Sequence, residues 1–360
     1  MKKILVVDDS ALMRKLLTGV LVEAGYEVRS ARNGTEGVDM VVQWQPDVVT
    51  LDINMPEMDG LTALSLIMAA RPTPVVMVSS LTEKGALATF EALALGAVDF
   101  IPKPGGTISL HVDDIKSMLL DKVRAASRAR LSRRRSAKMA APVSAPLAPP
   151  PRPPRAMVPS ATLTVRVSGQ VPGLVLIGVS TGGPRTLEDI LPRLPADFPW
   201  PILVAQHMPA NFTDTFSRRM DSLCALDVVE VASAMPIAVG NVYIGRGGTD
   251  ITVTARAGVL HVAPRPETPT VLWHPSVEVM VYSAMHHLPP EQLLGVMLTG
   301  MGDDGAEAMA RLRAAGGRTI AESADTAVVF GMPNELIERR GATLVLPCTA
   351  IAAQLRHWLH

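Results

Sequence analysis

The sequence predicts two α/β domains, each built on a mostly parallel sheet and joined by a linker. A chain of 360 residues is too long for one ordinary hydrophobic core. A hydrophobic content of 48% excludes a mostly disordered protein. Short β-branched runs alternate with helical periodicity on both sides of a proline-rich segment. We therefore expect domains at residues 1–121 and 171–360, with a linker at 122–170.

The N-terminal segment alternates short apolar runs with stretches of helical period. The predicted strands are residues 4–7, 47–51, 75–78 and 98–101. The predicted helices between them are residues 11–24, 34–43 and 84–95. Strands that alternate with helices of this length are typical of a parallel sheet with crossover helices.

The linker differs from both domains in composition. Residues 122–138 carry eight Lys or Arg and no acidic residue, and residues 141–160 carry eight prolines. Proline at this density lacks backbone donors and apolar periodicity, so the segment cannot build a core and should be extended.

The C-terminal segment shows the same alternation. Its predicted strands are residues 174–179, 202–205, 293–298, 318–321 and 342–346. Its predicted helices are residues 185–194, 306–315 and 334–340. A doubly wound, mostly parallel sheet is the expected fold of this domain.

The formal net charge of +0 conceals three unequal parts. Residues 1–121 hold 10 basic and 16 acidic residues, a net charge of −6, and residues 188–360 hold 12 and 18, also −6. Residues 122–187 hold 12 basic residues and no acid, a net charge of +12. Any electrostatic attraction between the two acidic domains is therefore expected to come from the basic linker, and it should weaken with salt.

Cysteine usage and apolar runs indicate a cytoplasmic protein without membrane insertion. The two cysteines, Cys224 and Cys348, fit neither a disulfide framework nor a zinc spacing. The apolar run at residues 4–7 is too short for a signal peptide, and no stretch is long and apolar enough for a membrane span.

Polar residues follow the predicted N-terminal strands where the strands end. Asp8 and Asp9 follow the first strand and Asp52 the second, while Ser79 and Lys103 follow the others. Ligands of parallel α/β sheets bind at this edge. Clustered carboxylates suit Mg²⁺, and a lysine with a hydroxyl suits phosphoryl oxygens. The alternative is that these groups cap the following helices, as Asp9 and Ser10 both could.

The N-terminal residues resemble the receiver domain of bacterial two-component response regulators. The matching motifs are VVDDS at 6–10, LDINMP at 51–56, MDG at 58–60, MVSS at 77–80 and FIPKP at 100–104. The resemblance implies a flavodoxin-like domain with a five-stranded parallel sheet. It also implies that a histidine kinase phosphorylates Asp52.

The same resemblance assigns roles around Asp52. Asp8, Asp9 and Asp52, with the backbone of Asn54, would hold Mg²⁺. Ser79 and Lys103 would sense the phosphoryl group.

A candidate nucleophile lies in the C-terminal domain. Residues 178–182 read GVSTG and fit G-x-S-x-G, the strand-to-helix turn that exposes a serine hydroxyl, here Ser180. A helix-capping serine and a phosphate-binding loop remain as alternatives.

A nucleophilic serine requires a base and an orienting acid. His207 ends an apolar strand, and Asp303 and Asp304 lie in a glycine-rich turn after another strand. The alternative is that Asp303 and Asp304 are ordinary solvent-exposed acids of a loop. The chain order Ser, His, Asp also differs from that of α/β-hydrolases.

The whole chain resembles chemotaxis protein-glutamate methylesterases, which are response regulators with an enzymatic output domain. The matching motifs are GVSTGGP at 178–184, QHMPANF at 206–212, PSV at 275–277, LTGMGDDG at 298–305 and FGMP at 330–333. The resemblance implies a catalytic triad of Ser180, His207 and Asp304, with the backbone N–H groups of His207 and Met301 as oxyanion donors. His274 occupies a position where the family usually has arginine.

The resemblance also implies an activity and its partners. The enzyme would hydrolyse glutamate γ-methyl esters on the cytoplasmic domains of methyl-accepting chemoreceptors, releasing methanol, and would deamidate receptor glutamines. No cofactor is expected in the esterase site, and we expect a monomer. The unphosphorylated receiver would cover the Ser180 cleft.

Two other function classes share features with this sequence. A receiver followed by a basic segment also occurs in DNA-binding regulators, but the C-terminal domain lacks a helix-turn-helix pattern, so no nucleic-acid partner is expected. A non-enzymatic scaffold is disfavoured because Ser180, His207 and Asp304 are all present.

Overall fold

The computed structural model describes residues 1–80, 82–103, 112–129, 171–267 and 271–359. Beyond residue 129, the predicted linker lies outside the described residues, as does Pro104. None of the described helices is long and apolar enough to cross a membrane.

The N-terminal domain contains one five-stranded parallel sheet, as predicted. Its strands are β1 (Lys3–Val7), β2 (Glu27–Ala31), β3 (Val48–Asp52), β4 (Val75–Ser79) and β5 (Asp99–Pro102). Its helices are α1 (Ala11–Glu23), α2 (Gly34–Trp44), α3 (Gly60–Ala70), α4 (Glu83–Leu95) and α5 (Val112–Ala126). The strand order β2-β1-β3-β4-β5 is the flavodoxin-like order, which places a crevice at the carboxyl ends of β1 and β3.

Side-chain caps explain where four of these helices begin. Each cap accepts a hydrogen bond from a backbone N–H of the first helical turn. The caps are Ser10, Asn33, Asp59 and Thr82. The helix-capping alternative therefore holds for Ser10, whereas Asp8 and Asp52 accept hydrogen bonds from the loop N–H groups of Ser10 and Asn54.

Strand β2 was not among the predicted runs, because it lies at the edge of the sheet. It pairs only with β1, and Arg29 and Ser30 are exposed. An edge strand with one solvated face lacks the continuous apolar run on which the prediction of the other strands depended.

Helix α5 continues past residue 121, where composition placed the end of the domain. Leu119, Val123 and Ala126 are fully buried at helical spacing. The basic residues that begin at Lys122 therefore share a helix with core residues, and Lys122 itself pairs with the buried Asp99 at 2.6 Å.

The C-terminal domain has a seven-stranded parallel sheet with strand order β15-β14-β13-β6-β7-β10-β8. These strands are β6 (Leu174–Val179), β7 (Ile202–Gln206), β8 (Asp227–Val231), β10 (Asn241–Gly245), β13 (Leu293–Met297), β14 (Arg318–Glu322) and β15 (Leu344–Leu346). A small antiparallel sheet contains β9 (Met235–Pro236), β11 (Thr249–Arg256) and β12 (Val259–Pro266). The predicted mostly parallel α/β fold is confirmed.

Six helices cover this sheet. They are α6 (Gly183–Ile190), α7 (Ala210–Leu223), α8 (Val277–His287), α9 (Ala306–Ala314), α10 (Met332–Glu338) and α11 (Cys348–Leu359). Strands β8 and β10 and helices α7, α8 and α11 were not predicted. β8 has the sequence DVVEV, in which Asp227 and Glu230 leave only two consecutive apolar residues, and so short a run does not distinguish a strand from a loop.

An aromatic cluster joins the two domains. The ring of Phe100, at the end of the N-terminal sheet, lies 4.4 Å from the ring of Phe212 on α7. Phe90 on α4 contacts Phe212 and Phe216, with ring centroids 6.5 and 5.4 Å apart. The contacts are buried, so the two domains share one continuous apolar core.

Two glycines give a matched test of N-terminal packing. A Cβ at Gly60 would lie 2.0 Å from the Asp52 carbonyl oxygen, whereas a Cβ at exposed Gly19 in α1 would meet no atom within 4 Å. We expect Gly60→Ala to lower the free energy of unfolding by about 1–3 kcal/mol. Gly19→Ala should raise it by about 0.5–1 kcal/mol. Urea unfolding of the full chain measures both, and shifts of the same sign would contradict this packing.

Candidate functional site

The N-terminal site is a cluster of three carboxylates. Asp8 and Asp9 follow β1, and Asp52 ends the adjacent strand β3. One oxygen from each carboxylate lies within 4.8 Å of the others, with Asp8 and Asp52 buried and Asp9 exposed. An all-oxygen cluster of this size fits a hard divalent cation such as Mg²⁺.

Lys103 ties two of these carboxylates together. Its Nζ lies 2.6 Å from Asp52 Oδ2 and 3.2 Å from Asp8 Oδ2, and the backbone N–H of Asn54 donates to Asp52 Oδ1 at 3.2 Å. Burial raises the pKa of Asp52, and the Asp8 charge adds to this effect, although the Lys103 ammonium opposes it. Burial acts against the Lys103 ammonium, but its hydrogen bond to Asp52 outweighs this and raises the pKa of Lys103.

Ser79 lies at the same edge of the sheet, at the end of β4. The register pairs Asp52 with Val78, the residue before Ser79. The Ser79 hydroxyl donates to the Gly85 carbonyl at 3.1 Å, in the first turn of α4. Ser79 therefore connects the edge that carries Asp52 to the helix that carries Phe90.

The C-terminal site forms at the carboxyl ends of three neighbouring strands. Strand β6 lies between β13 and β7. Ser180 follows β6, His207 follows β7, and Asp304 lies in the loop after β13. Ser180 and His207 are both buried. Gly300 makes the approach to Ser180 possible, because a Cβ there would lie 2.8 Å from Ser180 Cβ.

His207 and Asp304 form a direct pair. His207 Nε2 lies 2.8 Å from Asp304 Oδ2, the same oxygen that accepts the Val277 N–H at 2.7 Å. Asp304 Oδ1 accepts the Ser276 hydroxyl at 2.9 Å and the Glu278 N–H at 3.1 Å. Burial acts to raise the pKa of Asp304, but His207 and these backbone donors outweigh it and lower the pKa.

The pair determines which nitrogen of His207 can act as a base. An ionised carboxylate only accepts hydrogen bonds, so Nε2 carries the proton that faces Asp304. His207 Nδ1 is buried and forms no hydrogen bond with any described residue. Nδ1 is therefore the ring nitrogen left to accept a proton, in a loop beside Ser180. Gln206 holds both loops, since its Nε2 donates to the carbonyls of Ser180 and His207, each at 3.1 Å.

The expected pair of oxyanion donors differs in the structure. The His207 N–H donates to the Val179 carbonyl at 3.1 Å, as part of the pairing between β6 and β7, and is not free for an oxyanion. The Met301 N–H forms no hydrogen bond within the described part of the chain. Of the two expected oxyanion donors, the backbone N–H of Met301 is therefore available in this structure and that of His207 is not.

No role is predicted from the sequence for Ser276, Val277 or Glu278. The motif at residues 275–277 served only for the resemblance, yet the segment 276–278 supplies three donors to Asp304. Two of them are backbone N–H groups at the N-terminus of α8, which side-chain patterns do not reveal.

Comparison with known proteins adds the family. A CheB methylesterase family model matches residues 175–355, and a response regulator receiver domain model matches residues 4–113. A Rhodospirillum rubrum protein, "Protein-glutamate methylesterase/protein-glutamine glutaminase 3", is 54% identical over 360 residues, covering 100% of this chain and 96% of the relative. The chain belongs to the CheB methylesterase family.

Other members of the CheB family agree with this assignment. A Rhodopseudomonas palustris protein-glutamate methylesterase/protein-glutamine glutaminase is 52% identical, covering 99% of this chain and 98% of the relative. The Thermotoga maritima CheB methylesterase catalytic domain matches with a TM-score of 0.50 and 38% identity, over 53% of this chain and 100% of that domain. These comparisons support the esterase interpretation and not the DNA-binding alternative.

The His274 departure from the family pattern has a structural partner. His274 Nδ1 lies 2.9 Å from Oδ1 of Asp250, a buried residue of β11. The same oxygen accepts the Ser276 N–H at 2.9 Å. His274 therefore helps to hold the segment that contacts Asp304.

The pKa of Asp52 leads to a pH-dependent prediction. A raised pKa means that the folded state binds more protons than the unfolded state, so stability falls as pH rises from the unfolded pKa through the folded pKa. We expect Asp52→Asn to raise the free energy of unfolding at pH 7, on the order of 1 kcal/mol. The gain should vanish below about pH 3.9, where the unfolded carboxyl is also protonated.

Asp47→Asn is the matched control for Asp52→Asn. Burial acts to raise the pKa of Asp47, but hydrogen bonds from the Lys3 N–H and the Lys2 side chain outweigh it and lower the pKa. This replacement should lower stability at pH 7, and the loss should diminish as the pH falls through the folded pKa. Urea unfolding between pH 3 and 7 measures both, and equal pH trends for the two variants would refute the assignment.

Proposed function

We propose that the chain is a protein-glutamate methylesterase, which hydrolyses glutamate γ-methyl esters on the cytoplasmic domains of methyl-accepting chemoreceptors. The observation that carries the proposal is the His207–Asp304 pair beside Ser180, with His207 Nδ1 left without a partner. The relatives described as protein-glutamate methylesterases, which match along the whole chain, support the substrate class.

In the proposed mechanism, Ser180 attacks the ester carbonyl. His207 Nδ1 takes the hydroxyl proton as the Oγ–C bond forms, and Asp304 stabilises the resulting imidazolium. The tetrahedral intermediate then collapses, its C–O bond to the methoxy group breaks, and His207 returns the proton so that methanol leaves. Water, deprotonated by His207, hydrolyses the glutamyl acyl-enzyme and frees the γ-carboxylate and Ser180.

Met301 is the oxyanion donor of this proposal. Its backbone N–H belongs to the loop after β13 and has no other partner among the described residues. Loss of one such donor typically costs about 3 kcal/mol in the barrier. The His207 N–H could contribute only after leaving the Val179 carbonyl.

The same steps support deamidation of receptor glutamines. A glutamine amide presents the same γ-carbonyl to Ser180, and ammonia replaces methanol as the leaving group. The relatives' description as protein-glutamine glutaminases agrees with this second reaction. Neither reaction requires a cofactor in the esterase site.

The receiver domain is proposed to accept a phosphoryl group on Asp52 from a chemotaxis histidine kinase. Asp8, Asp9 and Asp52, with the backbone of Asn54, would hold Mg²⁺, which neutralises charge on the phosphoryl oxygens when it is bound. Lys103 already lies 2.6 Å from Asp52 and would pair with the phosphoryl group. Ser79 would donate its hydroxyl to that group instead of to the Gly85 carbonyl.

Inhibition by the unphosphorylated receiver is proposed to depend on the aromatic cluster. Phe90 lies on α4, five residues after Gly85, and packs on Phe212 and Phe216 of α7. Arg128, just beyond α5, lines the same cleft as Met301 and Gly302. Movement of the Ser79 hydroxyl away from Gly85 would loosen α4 and uncover this cleft.

Domain limits, location and assembly complete the proposal. We propose an N-terminal domain that extends past the expected limit of residue 121 to the end of α5 at Ala126, a C-terminal domain at 171–360, a cytoplasmic location and a monomeric chain. The contact of the two domains through α4 and α7 supports regulation within one chain.

Replacement of the nucleophile tests the activity. Ser180→Ala should lower methanol release from methylated receptor membranes at least about 10³-fold, because the acyl-enzyme cannot form. Ser222→Ala, at an exposed position of α7, is the control and should retain the rate. The measurement is methanol release with a phosphodonor present, and a Ser180→Ala rate equal to that of the control would overturn the proposal.

Truncation at the aromatic cluster tests the regulation. Phe90→Ala removes a buried ring that contacts Phe212 and Phe216, so the closed arrangement should lose on the order of 3 kcal/mol. The esterase rate without phosphodonor should rise at least about fivefold, and stimulation by the phosphodonor should shrink.

Leu17→Ala is the control for Phe90→Ala. Leu17 on α1 is equally buried, but it belongs to a separate apolar cluster that does not include Phe90, Phe212 or Phe216. A rise in basal rate confined to Phe90→Ala is expected. Equal rises in both variants would attribute the effect to general destabilisation and refute the interface.

A further inference from the structure

The indole of Trp273 lies on the face of the His207 imidazole. The ring centroids are 5.2 Å apart and the planes differ by 6°, so the rings are stacked. The other end of the indole faces the loop after β13, where a Cβ on Gly302 would lie 3.9 Å from Trp273 Nε1. Trp273 thus spans the distance between His207 and the loop that carries Met301 and Asp304.

Hydrogen bonds hold the segment that directly follows Trp273. The next residue, His274, is fixed by Oδ1 of Asp250 at 2.9 Å, and the same oxygen accepts the Ser276 N–H at 2.9 Å. The Ser276 hydroxyl then donates to Asp304 at 2.9 Å. The segment that carries the indole is therefore attached to β11 on one side and to Asp304 on the other.

Two physical effects follow from the stack. A single hydrogen bond from Nε2 to Asp304 leaves the imidazole free to rotate about that bond, whereas a parallel ring with its centroid 5.2 Å away restricts the ring plane and so the direction of Nδ1. A cation over an indole face is also attracted to it, and this attraction is largest for tryptophan and in desolvated sites. During the reaction, His207 becomes a cation when it takes the proton of Ser180.

We propose that Trp273 is a positioning residue for His207, which orients the imidazole and stabilises its protonated form during acyl transfer. The inference rests on the proposed esterase function, since the benefit of the stack is realised in the proton transfer. Trp273 does not exchange protons, and its role is exerted through His207.

The ionisable groups around the stack are few. Asp304 contacts His207 directly, and Glu278 at the start of α8 donates its backbone N–H to Asp304. His274 and Asp250 lie on the far side of the segment, and Arg128 of the receiver lines the cleft beyond Met301. A change at Trp273 leaves each of these groups in place.

The kinetic test compares Trp273→Leu with Trp273→Phe in the full chain, with phosphodonor present. Leucine fills space without a π face and should lower kcat for methanol release about tenfold, with KM within about twofold. Phenylalanine keeps a stacking ring and should stay within about threefold of the unmodified chain. In Trp273→Leu the acidic limb of kcat/KM against pH should move to lower pH by about half a unit, because the imidazolium loses an attractive partner.

A Trp358→Phe variant is the matched control. Trp358 stacks with Arg318 on the opposite part of the domain, and its replacement should leave kcat and the pH profile unchanged. If Trp273→Leu and Trp273→Phe lose activity equally, or if the acidic limb does not move, a positioning role is excluded and the indole only fills space.

A fluorescence measurement separates this inference from the proposed function. Protonated imidazole quenches a stacked indole, so tryptophan emission should fall when His207 is protonated in acidic solution. The transition should disappear in Trp273→Phe and in His207→Gln. It should persist in Trp358→Phe and in His274→Asn, whose amide N–H can replace His274 Nδ1 toward Asp250.

The methanol-release and fluorescence measurements test different claims. Absence of methanol release from the unmodified chain would remove the proposed function, while the emission titration would still report whether Trp273 senses the charge of His207. A transition that persists in His207→Gln but disappears in His274→Asn would overturn the inference, because the indole would then be reporting its sequence neighbour.

Discussion

The buried Asp304 carboxylate is the group on which the C-terminal site depends. It accepts four hydrogen bonds, from His207, Ser276, Val277 and Glu278. A buried charge is costly unless it is paired and fully hydrogen-bonded, so the fold must bring all four donors to one point. Those donors come from the end of β7 and the start of α8. Satisfying one carboxylate therefore fixes the His207 ring, the N-terminus of α8 and, through it, the Trp273 segment.

The two sites use the same edge geometry with opposite effects on the central carboxyl group. Asp52 and Asp304 both lie at or just beyond the carboxyl end of a parallel strand. Backbone donors and His207 lower the pKa of Asp304 and keep it ionised as an acceptor. Around Asp52, burial and the Asp8 charge raise the pKa, and Lys103 only partly compensates. Asp52 thus belongs to a cluster of negative charges that Lys103 does not neutralise fully, and such a cluster favours binding a cation. Asp304, in contrast, has its charge balanced by hydrogen bonds from the protein itself.

The sequence allowed much of this arrangement to be predicted, because topology carries the information. Ser180 and His207 each directly follow an apolar strand, and parallel strands bring such residues to one edge. The donors to Asp304 other than His207 could not be predicted, since two of the three are backbone N–H groups that any residue supplies. The engagement of the His207 N–H with Val179 was missed for the same reason, as it depends on strand register. The stack of Trp273 on His207 joins residues 66 positions apart with no shared pattern.

The contact between the domains is apolar in character, and the charges of the chain explain why it has to be. Residues 1–121 and 188–360 each carry a net charge of −6, and Lys122, Arg124 and Arg128, on or just beyond α5, offset only half of the N-terminal excess. Both domains therefore keep a net negative charge and repel at long range. One ion pair crosses the rim within the described residues, Glu83 with Arg218 at 3.2 Å, and both side chains are exposed, so it adds little. Attraction must then come from burial of Phe90, Phe100, Phe212 and Phe216, which is not screened by salt. Because α4 carries Phe90 and also holds the Ser79 hydroxyl through Gly85, a change at Asp52 can act on this apolar contact directly. The coupling requires no charged partner across the interface.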